Sequence, residues 1–214
     1  MGGIVEPSDV ELLAAWVRGD TVAGNRLVRR HFDALYRFFR SRVDEGVADL
    51  VQQTFLACIE SSRRIPEQAG FRAWLFGIAR NKLLLHQRSH GRRRDAVGSD
   101  PMLDAAADAS AELSIGGLVD MRDEQRLLLR GLRRLPIDLQ VALVLGYWEG
   151  LSGTEIAEVL EVPVGTVKTR LRRARDLLRT TIESLAPGTD TATVTVRDLD
   201  RWAASLRERL AKPD

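Results

Sequence analysis

Between Thr166 and Arg179 the chain reads TVKTRLRRARDLLR, with Lys168, Arg170, Arg172, Arg173, Arg175 and Arg179 opposed only by Asp176. Cations at this density donate hydrogen bonds to phosphate oxygens, and an arginine can also fork onto the acceptor edge of guanine. A solvated helix surface can be just as basic, so the arrangement has to decide. On a helical wheel of about 100° per residue, with Lys168 at the origin, Val167, Leu171, Ala174 and Leu178 fall between roughly 240° and 300°. That stripe is a core face. Gly165, Lys168, Thr169, Arg172, Arg173, Asp176 and Arg179 occupy roughly 0° to 140°, with Arg170 and Arg175 on the flanks. The outward face therefore begins with small residues and becomes cationic. A recognition helix needs this order, because its first turn must approach base edges while longer side chains reach guanine and phosphate.

The residues just upstream are suited to position such a helix. SGTE, Ser152 to Glu155, is a capping box that opens a short helix running to about Leu160. EVP then separates it from the basic helix, expected from about Val164 to Arg179. A short helix, a tight turn and a longer basic helix make a helix-turn-helix pattern. Many such turns place glycine where Glu161 stands, and a left-handed backbone costs a non-glycine residue about 1 kcal/mol. Pro136 suits the first turn of an earlier helix, with Asp138 close behind on the favourable side of the dipole.

A second module precedes this one. ELLAAWVRGD stops at Gly19, and NRLVRRHFDALYRFFRSRV spaces Leu27, Val28, Phe32, Leu35, Phe38 and Phe39 for one helix face. VADLVQQTFLACIESS follows a break at Gly46 and places Val51, Phe55, Cys58 and Ile59 on its apolar side. FRAWLFGIARNKLLLHQRS is apolar almost all round in its first half and reads as the buried centre. Phe71, Trp74 and Phe76 are therefore expected in the core. Residues 63 to 94 carry nine basic side chains against Glu67 alone, whereas 95 to 112 carry Asp95, Asp100, Asp104, Asp108 and Glu112 with no cation. The net charge of +2 conceals this division. The chain divides into a helical module at 8–92, an acidic linker rich in small residues at 93–117, a helix-turn-helix module at 118–182 and an extension at 183–214. The expected class is all-α.

Several functions are disfavoured by what is present. One cysteine permits no intrachain disulfide, and His31, His86 and His90 make no metal-binding spacing with it. No nucleophile elbow or phosphate loop organises the carboxylates, so an enzyme is not expected and no cofactor or metal is called for. The amino terminus lacks a signal-peptide pattern, and the apolar run VALVLGYW is far too short to span a bilayer. A cytoplasmic protein without membrane insertion is expected.

At residue level the chain resembles the bacterial extracytoplasmic-function (group IV) sigma factors of RNA polymerase. LRRLPIDLQVALVLGYWEGLSGTEIAEVLEVPVGTVKTRLRRAR resembles their region 4, which grips the promoter −35 element. DLVQQTFLACIE (49–60) and FRAWLFGIARN (71–81) resemble region 2, which binds core polymerase and the −10 element. The resemblance covers roughly residues 8 to 180. It implies that Asp49, Gln52, Gln53 and Leu56 dock on the clamp coiled coil of the polymerase largest subunit, although the family often has Glu where Gln53 stands. It implies −10 contacts from Ser62, Arg63 and Arg64 in the loop SSRRIPEQAG, and from Arg80, Asn81 and Arg88. It implies −35 contacts from Thr166, Lys168, Thr169, Arg172 and Arg173. Core polymerase, including its flap region, promoter DNA and an anti-sigma factor are the implied partners, and the acidic linker is expected to thread a polymerase channel. The rival reading is a stand-alone helix-turn-helix regulator, which leaves the first module unexplained. The extension falls outside the family pattern. Leu199, Trp202, Leu206 and Leu210 give its stretch 197–211 an amphipathic helical spacing, readable as an extra packed helix or as a regulatory tail.

Overall fold

The computed structural model describes residues 6–62, 70–96, 123–188 and Arg201. Among these residues the regular structure is entirely helical. The loop 63–69, most of the expected linker and the amphipathic stretch at 197–211 (Arg201 excepted) lie outside the described residues.

Helix α1 (Asp9–Val17) opens on a capping box that the sequence reading did not mark. Ser8 N–H donates to Glu11 Oε2 at 2.8 Å, and Glu11 N–H donates to Ser8 Oγ at 3.3 Å. Gly19, at φ 101°, turns the chain into α2 (Thr21–Arg40), where Asp20 accepts the Val22 and Ala23 amides. The two helices touch through Gly24, since a Cβ there would stand 2.5 Å from the Trp16 indole nitrogen. Gly46, left-handed at φ 73°, admits α3 (Val47–Glu60). Helix α4 (Phe71–Ala96) completes the first module and runs through the expected boundary at residue 92. The sequence of its last turns is rich in arginine, a good helix former. Leu27, Leu35, Phe38, Phe39, Val51, Phe55, Cys58, Leu75, Phe76 and Leu83 are buried together. Phe71 joins them, and Trp74 packs against them half-buried.

The second module begins with α5 (Asp123–Arg133) and α6 (Ile137–Leu143). Pro136 sits one position earlier than the sequence predicted, as the N-cap, and Asp138 lies in the first turn. The buried Gln140 ties the α5–α6 turn, donating through Nε2 to the carbonyls of Arg133 (3.1 Å) and Leu135 (2.8 Å). Helix α6 then widens into a π-helical turn, Val144–Trp148, closed by the Glu149 amide on the Val144 carbonyl at 3.0 Å. Helix α7 (Gly153–Leu160) starts on the Ser152/Glu155 capping box read from the sequence. Glu161 is left-handed at φ 55°, ψ 47°, and α8 (Val164–Leu185) follows. Helix α8 continues beyond Arg179 because its core stripe does. Val167, Ala174 and Leu178 are followed by the fully buried Ile182, whose Cγ1 would stand 3.0 Å from a Cβ at Gly131 of α5.

The modules are pressed together, with α4 packed on α7. Arginines make the cross-contacts. Arg133 of α5 donates to Asp44 Oδ1 at 2.8 Å and to the carbonyls of Arg40 and Ser41 at the end of α2. Arg42 is buried over the Phe38 ring, 4.1 Å from its centroid, and donates to the Gln140 carbonyl at 3.1 Å. Burial pushes its guanidinium down to about 9, against the favourable pull of Glu149.

Candidate nucleic-acid interface

The α8 surface divides as the wheel predicts. Lys168, Thr169, Arg172 and Arg173 are exposed, opposite the buried Val167, Ala174 and Leu178. Thr166 is half-buried, and its amide closes the first turn on the Pro163 carbonyl at 2.9 Å. The flanking arginines have other duties. Arg170 turns back to Asp138 Oδ2 at 3.5 Å, and Arg175 lies over the Tyr147 ring at 5.7 Å. Beside them runs a groove of about 680 Å³, lined in part by Tyr147, Val164, Leu171 and Arg175. The exposed cations are thus held on a helix whose other side is locked into the core.

In the first module, Asp49, Gln52, Gln53 and Leu56 share the exposed face of α3, and Leu56 is 50% exposed. Three polar residues around one bare leucine make a contact surface of mixed character. Burial of Val51, Phe55 and Cys58 behind them fixes the orientation. It also pushes the Cys58 thiol up to about 12.

The residues read as −10 contacts are distributed less simply. Ser62 is half-buried just beyond α3, whereas Arg63 and Arg64 lie outside the described residues. Asn81 and Arg88 are exposed on α4. Arg80 is engaged elsewhere in this arrangement: its Nη2 stands 2.8 Å and its Nε 3.3 Å from Asp138 Oδ1 of the second module. A strand contact by Arg80 requires that pair to open.

Glu149 was not singled out from the sequence. Its side chain is 1% exposed, and Arg37 of α2 donates to both carboxylate oxygens at 3.1 and 3.0 Å. Arg72 adds a contact at 3.6 Å and donates to the Glu149 carbonyl at 2.9 Å. The visible signal was an acid ending the apolar run VALVLGYW, and nothing local named its partners.

A helix-turn-helix with an outward cationic face, joined to a second helical module with a mixed contact surface, defines a two-part DNA-binding protein of the all-α class. Comparison with known proteins makes this specific. Residues 27–93 match the family model of Sigma-70 region 2, and residues 125–178 match that of Sigma-70, region 4. An ECF RNA polymerase sigma factor, SigM, of Mycobacterium tuberculosis is 35% identical over 178 residues, spanning 81% of this chain and 84% of that protein. The ECF RNA polymerase sigma-E factor of Haemophilus influenzae is 30% identical over 191 residues, spanning 83% and 97%. Among solved structures, CnrH in complex with the cytosolic domain of CnrY is 29% identical with a TM-score of 0.57, covering 83% of this chain and 99% of that one. The sigma factor RpoE of Bartonella quintana, in complex with the anti-sigma factor NepR, shares the fold at 23% identity and a TM-score of 0.60, covering 74% and 96%. The chain belongs to the extracytoplasmic-function sigma factors of RNA polymerase, non-enzymatic factors that direct core polymerase to promoters.

Proposed function

We propose that this sigma factor works by positioning, with each module engaging one promoter element while both are held on core polymerase in the cytoplasm. The α8 face reads the −35 duplex through Lys168, Thr169, Arg172 and Arg173, with Thr166 at the close-approaching end. Asp49, Gln52, Gln53 and Leu56 dock on the clamp coiled coil, and the second module meets the flap region. Ser62, Arg63, Arg64, Arg80, Asn81 and Arg88 line the path of the −10 strand, where capture of unpaired bases offsets the few kcal/mol of stacking lost per step. The domain limits 8–92, 93–117, 118–182 and 183–214 follow this division, with the α4 and α8 helices each running a few residues past them. An anti-sigma factor gates the chain. The acidic linker threads a polymerase channel whose walls otherwise receive nucleic acid.

The observation that carries this reading is the segregation of α8 into a buried apolar stripe and an exposed cationic face beginning at Gly165. The test is selection and run-off transcription on a randomised promoter library, with and without core polymerase. Paired −35 and −10 elements should emerge only when core is present. Tight binding to a palindrome without core would overturn the reading in favour of a dimeric regulator.

A further inference from the structure

Helix α6 ends on a π-helical turn whose side chains divide. Leu145 and Trp148 are buried, and between them Tyr147 is 38% exposed. The base of the turn is closely seated, since a Cβ at Gly146 would stand 3.4 Å from Ile156 Cδ1 of α7 and 3.5 Å from Leu171 Cδ2 of α8. Tyr147 therefore projects to the surface from a backbone held against both helices of the helix-turn-helix. Single π-turns are rare and recur at functional sites.

The ring meets α8 at Arg175, which is exposed. The guanidinium carbon lies 5.7 Å from the ring centroid, within the range of a cation–π contact. Other arginines of α8 are engaged differently. Arg170 turns back to Asp138 at 3.5 Å, and Arg179 donates to Glu183 at 3.3 Å, so each spends donors on a carboxylate. Among the described residues no carboxylate is paired with Arg175. A ring contact engages the face of the guanidinium plane and leaves the N–H groups along its edge unspent. Tyr147 restrains this cation without neutralising it.

The groove sets where those donors can be used. Lys168, Arg172, Arg175 and Arg179 line it against Asp176, and it reaches Gly153 at the start of α7. Lys168 and Arg172 also belong to the exposed face of α8, so the groove continues that face toward the first helix of the motif. In a helix-turn-helix the second helix enters the major groove while the first crosses the sugar–phosphate backbone. A strand edge passes between the two. Gly153 leaves room for it, with nothing within 4 Å of a Cβ placed there. A phosphate in that position offers the arginine fork two oxygens.

On the reading of α8 as the helix that enters the −35 duplex, we infer that Tyr147 is a positioning residue for DNA binding, its ring holding Arg175 so that the guanidinium edge donates to a backbone phosphate. Arg175 contributes affinity without sequence information, and Tyr147 acts through Arg175.

The test is a double-mutant cycle in the full-length chain. Because a phosphate contact is blind to sequence, the probe is a fluorescein-labelled 20-base-pair duplex of random sequence, titrated across a salt series. Arg175→Gln should weaken binding about tenfold and reduce the slope of log K against log salt by about 0.9. Tyr147→Leu keeps the charge and should weaken binding about two- to fivefold. Tyr147→Phe keeps the ring and should recover most of that loss. In the Arg175→Gln background, Tyr147→Leu should change nothing further. Additive losses overturn the positioning role, and so does a Tyr147→Phe chain that binds no better than Tyr147→Leu. Arg173→Gln, at an exposed position of α8 outside the groove, tells the two readings apart. If it alone weakens binding, Tyr147 and Arg175 lose their role and the −35 reading stands; if none of the three does, both fall. Should Tyr147→Leu lower the helical circular dichroism, Arg175→Lys carries the comparison, because it keeps the charge and gives up the planar stack. Wild-type affinity in that variant overturns the inference.

Discussion

Glu161 offers a sharp check on how the helix-turn-helix is held. It adopts φ 55° and ψ 47° at the end of α7, and it is the only non-glycine residue with positive φ among those described. The left-handed conformation costs an L-residue about 1–2 kcal/mol. Glycine escapes this cost but loses more backbone entropy on folding, which returns about 0.5–1 kcal/mol. The turn's hydrogen bonds are main-chain, Glu161 N–H to the Glu158 carbonyl and Val162 N–H to the Ala157 carbonyl, so they survive side-chain deletion. The Glu161 side chain is exposed. Glu161→Gly should therefore stabilise the chain by about 0.5–1 kcal/mol, raising Tm by roughly 1–4 °C for a chain of this size. Glu161→Val should move Tm down, because a branched Cβ tolerates the left-handed region worst. Both variants are read by thermal unfolding followed by circular dichroism, with urea unfolding as a second measure. Binding to a −35 duplex should match wild type in the glycine variant. A Glu161→Gly chain that melts at or below the wild-type temperature would refute the claim that strain is stored in this turn.

Arg172→Ala should weaken binding to the selected −35 sequence by about 1–3 kcal/mol and relax discrimination at one base position, read by competition binding at fixed salt. Equal losses on every sequence would reassign Arg172 to phosphate. Cys58 should stay unmodified by Ellman's reagent at pH 8 in the native chain and react fully in denaturant, since the thiol is buried and pushed up to about 12; rapid native labelling would contradict the packing of α3. Burial pushes the Asp9 carboxyl up, but contacts from His31 and Arg30 outweigh it and hold it below its ordinary 3.8. Its contribution is thus present above pH 3.8 and lost as pH falls through the lower folded value. Asp9→Asn should cost up to about 1 kcal/mol at pH 7, and its difference from wild type should shrink as pH falls below 3.8, checked by urea unfolding across a pH series.

Local patterns wrote much of this protein into its sequence. The stripe of Val167, Ala174 and Leu178 orients α8 through helical periodicity alone, which is why the exposed cations were legible in advance. The Ser152/Glu155 box and the left-handed step at Glu161 depend on neighbours within a few residues. Helix ends were less legible. Whether α8 stops at Arg179 depends on Ile182 finding Gly131, far away in the chain. The site itself was only half legible, since a wheel shows that Arg170 leaves the core but not what it meets, and nothing local shows what Arg80 meets. Asp138 lies 58 residues from Arg80, and Glu149 lies 112 from Arg37. Neither separation carries a periodic signal, because charge pairing across a module boundary depends on how two preformed surfaces are brought together. Periodicity and capping determined the helices and the outward cationic side of α8, while tertiary packing alone decided which arginines pair with carboxylates across the two modules.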